Sequence, residues 1–488
     1  MRWIDLSLIA LYLAGITWFG AHFRSSQKSL RDYFLGGGTV PWWAIALSIV
    51  SAETSTLTVI GTPPLSFKDN LGFLQLVLGY LLARLAISAL FLPAYFRGEL
   101  FTAYQLMRAR FGERVRKLTA GTFLLLRALA EGVRVFAISI VISIVLGSGS
   151  MVSIAVIVCL TLFYTYQGGM TAVIWTDVVQ MALYIGGAVV SLIAILHQIP
   201  GGWAHVVALA EPLGKFQVFD FQLGPPAQFF ARPYSFWAGI LGGCFLTTAS
   251  HGTEQLMVQR LLAASSERAS RIALLGSWVI VAAQFTLFLV IGVCLFTLYS
   301  DHHWETPPVT DRIYPLFIWT YLPTGAAGLV MAAILAAAMS NLSAALNALA
   351  STTVMDFVRP LAKFAQKDIE ESRWVQWARF ATLAWGAILF AVALFARNWG
   401  NVLQAGLSIA SVLYGSLLGV FLLGVLTRRV GENAAICGMA AGLGVMLYVK
   451  FQTSIAFTWY VLIGTSATFF AGLAASFFTK ETQARESS

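Results

Sequence analysis

Apolar stretches of 18 or more residues recur from one end of the chain to the other, each closed by a charged or Pro/Gly-rich break. A helix of that length crosses a hydrocarbon core of about 30 Å. The pattern predicts thirteen helices, near 4–23, 42–66, 71–96, 116–147, 150–168, 172–198, 235–259, 269–299, 323–356, 375–396, 400–427, 433–450 and 455–478. The longest stretches between them, near 199–234 and 300–322, are the size of small lids. The fold class this predicts is an all-α polytopic membrane protein with one membrane domain over residues 1–488.

Two of the predicted helices are interrupted. The second, WWAIALSIVSAETSTLTVIGTPPLSF, places six polar residues in eight from Ser51 to Thr58, where the middle of the bilayer should lie. The seventh ends in LTTASHGTEQLMVQRLL, again polar partway along. Polar, irregular backbone at depth is tolerated only where it lines a cavity or is buried in protein. The interrupted helices open two successive five-helix blocks, 42–198 and 235–427, and broken helices in corresponding positions point to an inverted-repeat transporter with its site near the midplane. That leaves 4–23 as a leading helix and 433–478 as a trailing pair.

Composition agrees with the pattern. Of 488 residues 58% are hydrophobic and only 11% charged, against about 25% charged in soluble domains. Disordered, collagenous, disulfide-scaffold and cytosolic enzyme classes are excluded. Cys159, Cys244, Cys294 and Cys437 sit far apart inside apolar runs and read as small core hydrophobes. The first run, Leu6 to Phe23, lacks a basic leader and an A-x-A site and reads as a retained span. The excess of 31 basic over 22 acidic residues would hint at nucleic acid in a soluble protein. Here it follows topology, and no nucleic-acid partner is expected. Lys and Arg divide 21 to 7 between the two sets of connections, which by the positive-inside rule places the N-terminus outside and the C-terminus in the cytoplasm of a cell membrane.

Ionisable groups inside spans cost about 2.5–3.5 kcal/mol each at a helix centre, so those present need a reason. Arg127, Glu131 and Arg134 share one helix face and can neutralise one another, a structural reading. Arg84 has no sequence-local acid and is left to pair across helices or with carbonyls. Glu53 is surrounded by the hydroxyls of Ser51, Thr54, Ser55, Thr56 and Thr58, and an unwound turn would add free carbonyls, the oxygen-rich set a hard cation wants. The ninth helix sets Ser340 and Asn341 together at depth among small residues, which packing alone does not require. Asp177, after a Gly-Gly break, either caps its helix or lies on an ion path. No metalloprotease, P-loop, nucleophile-elbow or dinucleotide signature is present, so no enzyme activity is expected.

At these same stretches the chain resembles the solute:sodium symporter family. The resemblance is carried by DYFLGGGTVPWWAIALSIVSAETSTLTVIG, TAYQLMRARFG, GGMTAVIWTDVVQ, GTEQLMVQR and AAAMSNLSAALNALASTTVMDF, in order and on the expected helices. It implies a five-plus-five inverted-repeat (LeuT-like) core and a Na⁺ site between the second and ninth helices. The implied ligands are carbonyls near Ser51 and Thr54, the Ala337 carbonyl, and the Ser340 and Asn341 side chains, with Asp177 on the inner sodium path. Asn341 departs from the usual pair of hydroxyl residues while keeping an oxygen. The implied solute-facing residues are Glu53, Ser55, Thr58, Glu254 and Gln255.

The expectation is a sodium-coupled symporter of a small organic solute working by alternating access, its partners being that solute, Na⁺ and the lipid bilayer. Two acids at one cavity favour a sugar or polyol over a bare carboxylate. The sequence leaves oligomeric state open. A proton-coupled carrier using Glu53 is the first competitor. A solute sensor on a transporter-like domain is the second, and expects an appended signalling domain.

Overall fold

The computed structural model describes residues 2–22, 40–97, 103–164, 170–358, 361, 371–398 and 400–479. Twenty α-helices lie among them: α1 Trp3–His22, α2 Trp42–Glu53, α3 Thr56–Lys68, α4 Leu74–Leu90, α5 Leu92–Phe96, α6 Ala103–Phe111, α7 Glu113–Leu146, α8 Ser150–Tyr164, α9 Met170–Gln198, α10 Gly202–Ala210, α11 Pro226–Ala231, α12 Phe236–Gly252, α13 Gln255–Leu262, α14 Glu267–Asp301, α15 Ile313–Tyr321, α16 Ala326–Thr352, α17 Glu371–Ala396, α18 Val402–Leu426, α19 Glu432–Gln452 and α20 Tyr460–Ala475. Each of the thirteen predicted stretches falls on one of these helices or on a consecutive pair. Among the described residues seven helical stretches, one of them α4 running on into α5, are long and apolar enough to cross a membrane. The fold is all-α and polytopic.

The interruptions fall where the polar runs predicted them. Helices α2 and α3 meet at 62°. Thr54 leaves helical geometry (φ −85°, ψ 83°), and Ser55 restarts it by accepting the Leu57 N–H on its hydroxyl at 3.2 Å. The second break separates α12 from α13 at Thr253 and Glu254, with Glu254 extended (φ −87°, ψ 129°) at the N-cap of α13. The Ser55 hydroxyl thus supplies an acceptor that the N-terminus of α3 lacks, whereas Glu254 makes no side-chain cap at α13.

Packing brings the two breaks to one region. Helix α12 lies against α4 with backbones almost touching: a Cβ on Gly243 would come 2.2 Å from the Leu76 carbonyl. Small residues at such a contact replace the hydrophobic drive that lipid cannot provide. Helix α2 packs on α9 and α14, α16 on α9 and α7, and α18 on α7, α19 and α20. The leading helix is fastened to the core by Asp5, whose carboxylate accepts the N–H groups of Gly325 (2.7 Å) and Gly328 (2.8 Å) at the start of α16.

The stretches expected to be lids carry structure of their own, α10, α11 and α15. GWAHVVALA and IYPLFIWTY are apolar enough to bury a face against neighbouring helices but too short to span, so charge breaks alone assigned them to loops.

Candidate functional site

The two breaks open onto a single cavity of about 120 Å³. Glu53, Ser55 and Thr58 face it from the first break, and Ser250, His251 and Glu254 from the second. Arg127 and Arg134 line it from α7, Leu403, Leu407 and Tyr414 from α18, and Phe73, Tyr80 and Phe285 form an aromatic side. Of the five residues expected to face solute, four line this cavity. Gln255 points elsewhere: its carboxamide oxygen accepts the Ala103 N–H at 2.8 Å and docks the start of α6.

Both cavity acids are already partnered. Glu53 pairs with the fully buried Arg84 at 2.5 Å and lies 3.4 Å from His251 Nε2. Arg84 also donates to Ser277 Oγ (3.3 Å) and the Tyr80 carbonyl (3.3 Å), so it pairs across helices and with a carbonyl at once. Glu254 takes Arg127 Nη1 at 2.8 Å and the Tyr414 hydroxyl at 2.5 Å. The self-neutralising reading of Arg127, Glu131 and Arg134 is therefore incomplete. Glu131 does bind both arginines, Arg127 at 2.8 Å and Arg134 through a short contact, but Arg127 reaches on to Glu254. Arg134 keeps 20% of its side chain open and lines the cavity. The i,i+3 and i,i+4 spacing showed the trio. Nothing local in sequence showed that Glu254 joins it.

The residues expected to hold Na⁺ are placed as follows. Ser51 and Thr54 are buried at the first break, where the Tyr184 phenol of α9 faces both and Gln284 of α14 donates to the Thr54 hydroxyl. Asn341 Oδ1 lies 3.5 Å from Arg127 Nη2, with its own Nδ2 buried and unpartnered. Ala337 and Ser340 belong to helix α16, and their side chains lie outside the described residues. Asp177, one turn below Ser51, accepts the Ser48 hydroxyl at 2.7 Å and Arg260 Nη2 at 3.0 Å, while Arg260 Nε donates to Ser48 Oγ at 2.9 Å. Arg260, at the end of α13, was not singled out in sequence because it looked like a cytoplasmic flank. The fold carries it inward, so that both broken helices grip Asp177.

Comparison with known proteins agrees with this architecture. The profile of the Sodium:solute symporter family matches residues 33–442. The human sodium/iodide cotransporter is 28% identical over 92% of this chain and 69% of its own length. The bovine sodium-coupled monocarboxylate transporter 2 is 29% identical over 92% and 72%, and the sodium/sialic acid symporter SiaT of Proteus mirabilis 27% identical over 96% and 94%. A solved substrate-bound, outward-open Na⁺-coupled sialic acid symporter superposes with a TM-score of 0.84 at 26% identity, covering 98% of this chain and 99% of that one. The nucleobase-cation symporter Mhp1 (TM-score 0.56, 12% identity, covering 91% and 93%) shares the fold. The chain belongs to the sodium:solute symporter family and is a multi-pass sodium-coupled symporter, not an enzyme.

Proposed function

We propose that the solute carried with Na⁺ is a small organic anion. One observation supports this reading above the others: both cavity acids are engaged by arginine, and the most open charged group on the cavity wall is Arg134, with 20% of its side chain exposed. A guanidinium with spare N–H groups matches a carboxylate in charge and fork geometry. The inclination toward a sugar or polyol rested on two free acids, and that premise is gone. The relatives named for iodide, monocarboxylates and sialic acid point the same way.

In this reading Na⁺ binds between the first break and α16, held by Ser51, Thr54, the Ala337 carbonyl, Ser340 and Asn341, and leaves past Asp177. Solute sits against Glu53, Ser55, Thr58, Glu254 and Arg134. Gln255 positions the second break from behind. A cation and an anion about 10 Å apart attract by about 1.7 kcal/mol at an effective dielectric of 20, so each favours the binding of the other. That differential affinity is what a coupled carrier needs. The pairing of Glu53 with Arg84 argues against Glu53 as a proton carrier. We further place residues 42–198 and 235–427 as the two repeats, flanked by 4–23 and 433–478, with the N-terminus outside and the C-terminus cytoplasmic in a cell membrane, as the 21 to 7 charge bias supports.

Uptake into proteoliposomes of labelled pyruvate, benzoate, sialic acid and glucose, with Na⁺ and pH gradients imposed separately, tests this. At least one organic anion should accumulate on the Na⁺ gradient alone, and Arg134→Ala should reduce that uptake at least tenfold, about 1.4 kcal/mol. Accumulation of glucose with no anion carried would overturn the reading.

A further inference from the structure

Helix α3 is the half of the first broken helix that lies toward the 300–322 stretch, and its own backbone holds it poorly. Pro63 and Pro64 stand inside it, so the carbonyls of Val59 and Ile60 lose their donors. Bonds to other parts of the chain hold it instead. Lys215 Nζ donates to the carbonyls of Phe67 (2.8 Å) and Lys68 (2.9 Å) at its end, and Ser66 Oγ to the Leu289 carbonyl (2.6 Å).

Toward α18 the tie runs through one buried acid. Asp311, 1% exposed in a short turn before α15, accepts Asn401 Nδ2 at 2.7 Å and the Val402 N–H at 3.0 Å. Asn401 Nδ2 also reaches the Gly61 carbonyl of α3 at 3.4 Å, while Asn401 Oδ1 caps α18 by accepting the Gln404 N–H at 3.0 Å. Here α3 and α18 come so close that a Cβ on Gly61 would lie 2.7 Å from Leu403 Cβ. Both helices continue into the cavity wall, α3 with Leu57 and Thr58, α18 with Leu403 and Leu407.

We propose that Asp311 and Asn401 form a latch that holds α3 against the start of α18 and thereby controls opening of the solute cavity toward the face the charge bias assigns to the outside. Asp311 is a positioning residue in this role, since it touches neither ion nor solute. Nothing in the argument depends on which solute is carried.

The latch also reads external acidity. Burial pushes the Asp311 carboxyl up to about 7, against the Val402 hydrogen bond and the Lys68 charge, which lower it. Of the elements packed on this turn, α3 brings Lys68, α15 and α18 bring only tyrosines, and α7, whose charged residues run from Glu113 to Arg134, has no titratable residue after Arg134. Arg312 is its neighbour in the chain. When the latch opens, Asp311 meets water and returns toward about 4. Protons therefore bind the latched form more tightly. Acid stabilises the latch from about pH 7 down to about pH 4, and that stabilisation is lost as pH rises through 7.

Thr58→Cys in the full-length protein, labelled by a membrane-impermeant thiol reagent, tests both points without any solute. Its rate is compared in native and Asp311→Asn backgrounds, so the ionisation of the introduced thiol cancels. Asp311→Asn mimics the neutral carboxyl and cannot titrate. The native-to-variant rate ratio should fall about twentyfold from about pH 7.5 to about pH 5.5, and a ratio equal at both would overturn the acid response. Asn401→Ser keeps a capping oxygen but removes the donor to Asp311 and Gly61. It should label several-fold faster than native at both pH values, and native rates would overturn the latch itself.

Discussion

The two broken helices open in different ways. At the first break the backbone closes locally, while Arg84 and Gln284 of other helices hold the Glu53 and Thr54 side chains: Ser55 N donates back to the Glu53 carbonyl at 3.1 Å, the Ser55 hydroxyl takes the Leu57 N–H, and the Thr58 hydroxyl reaches the Glu53 carbonyl. At the second, distant helices hold the ends: the Tyr95 hydroxyl on the Gly252 carbonyl (2.5 Å), Gln255 on Ala103 N, and Glu254 between Arg127 and Tyr414. A locally closed break can exchange its own hydroxyl and carbonyl contacts for an ion and take them back. One fastened from several other helices makes a fixed wall. In the proposed reading this suits the first break to hold Na⁺ as well as one side of the solute, and the second to hold the solute alone.

The largest expected effect tests whether the acid at the first break is structural. Arg84→Met strips a buried carboxylate of its cation and should lower stability by about 3–5 kcal/mol, the usual cost of orphaning one partner of a buried pair. Thermal unfolding of the purified protein in detergent reads this directly. Adding Glu53→Gln should recover most of the loss. An unchanged Arg84→Met would mean that Glu53 is held by something else, and the two acids would no longer differ in kind.

Glu254→Gln comes next. Arg127 retains Glu131, so folding should survive, but Glu254 would no longer fix the guanidinium at the cavity wall. A lost charge-assisted bond of about 1.5–3 kcal/mol should raise the solute concentration for half-maximal uptake at least tenfold, with the Na⁺ requirement moved less than twofold. The reverse pattern, a Na⁺ shift with unchanged solute affinity, would exchange the roles of the two breaks.

Much of this was legible in sequence because it depends on local signals. Runs of apolar residues mark the helices, and polar residues at depth mark the breaks, so residues 51–58 and 247–254 stood out before any fold was known. Charge partners are not local. Arg84 with Glu53 spans 31 positions, Arg127 with Glu254 spans 127, and Arg260 with Asp177 spans 83. Only the packing of α4, α7 and α13 reveals them. The ground for the solute inclination changed for the same reason: counting acids in a sequence counts charges without their partners. The short helices α10, α11 and α15 escaped because an apolar stretch of six to nine residues resembles a loop until its neighbours are in place.

The smallest expected effect bears most directly on the first break. The Thr54 hydroxyl accepts from Gln284, so its oxygen is oriented whether or not an ion is present. Thr54→Val keeps the shape and removes the oxygen, leaving the Gln284 amide without that partner. A neutral hydrogen bond or ligand contact of about 1 kcal/mol corresponds to about a fivefold rise in the Na⁺ concentration for half-maximal uptake. Solute affinity at saturating Na⁺ should stay within twofold, because Thr54 does not line the cavity. Thr54→Ser restores the hydroxyl and should restore Na⁺ dependence, which separates a lost ligand from altered packing. If Thr54→Val shifts solute and Na⁺ responses together, the first break is not an ion site separable from the solute wall, and the contrast between the two breaks fails at its root.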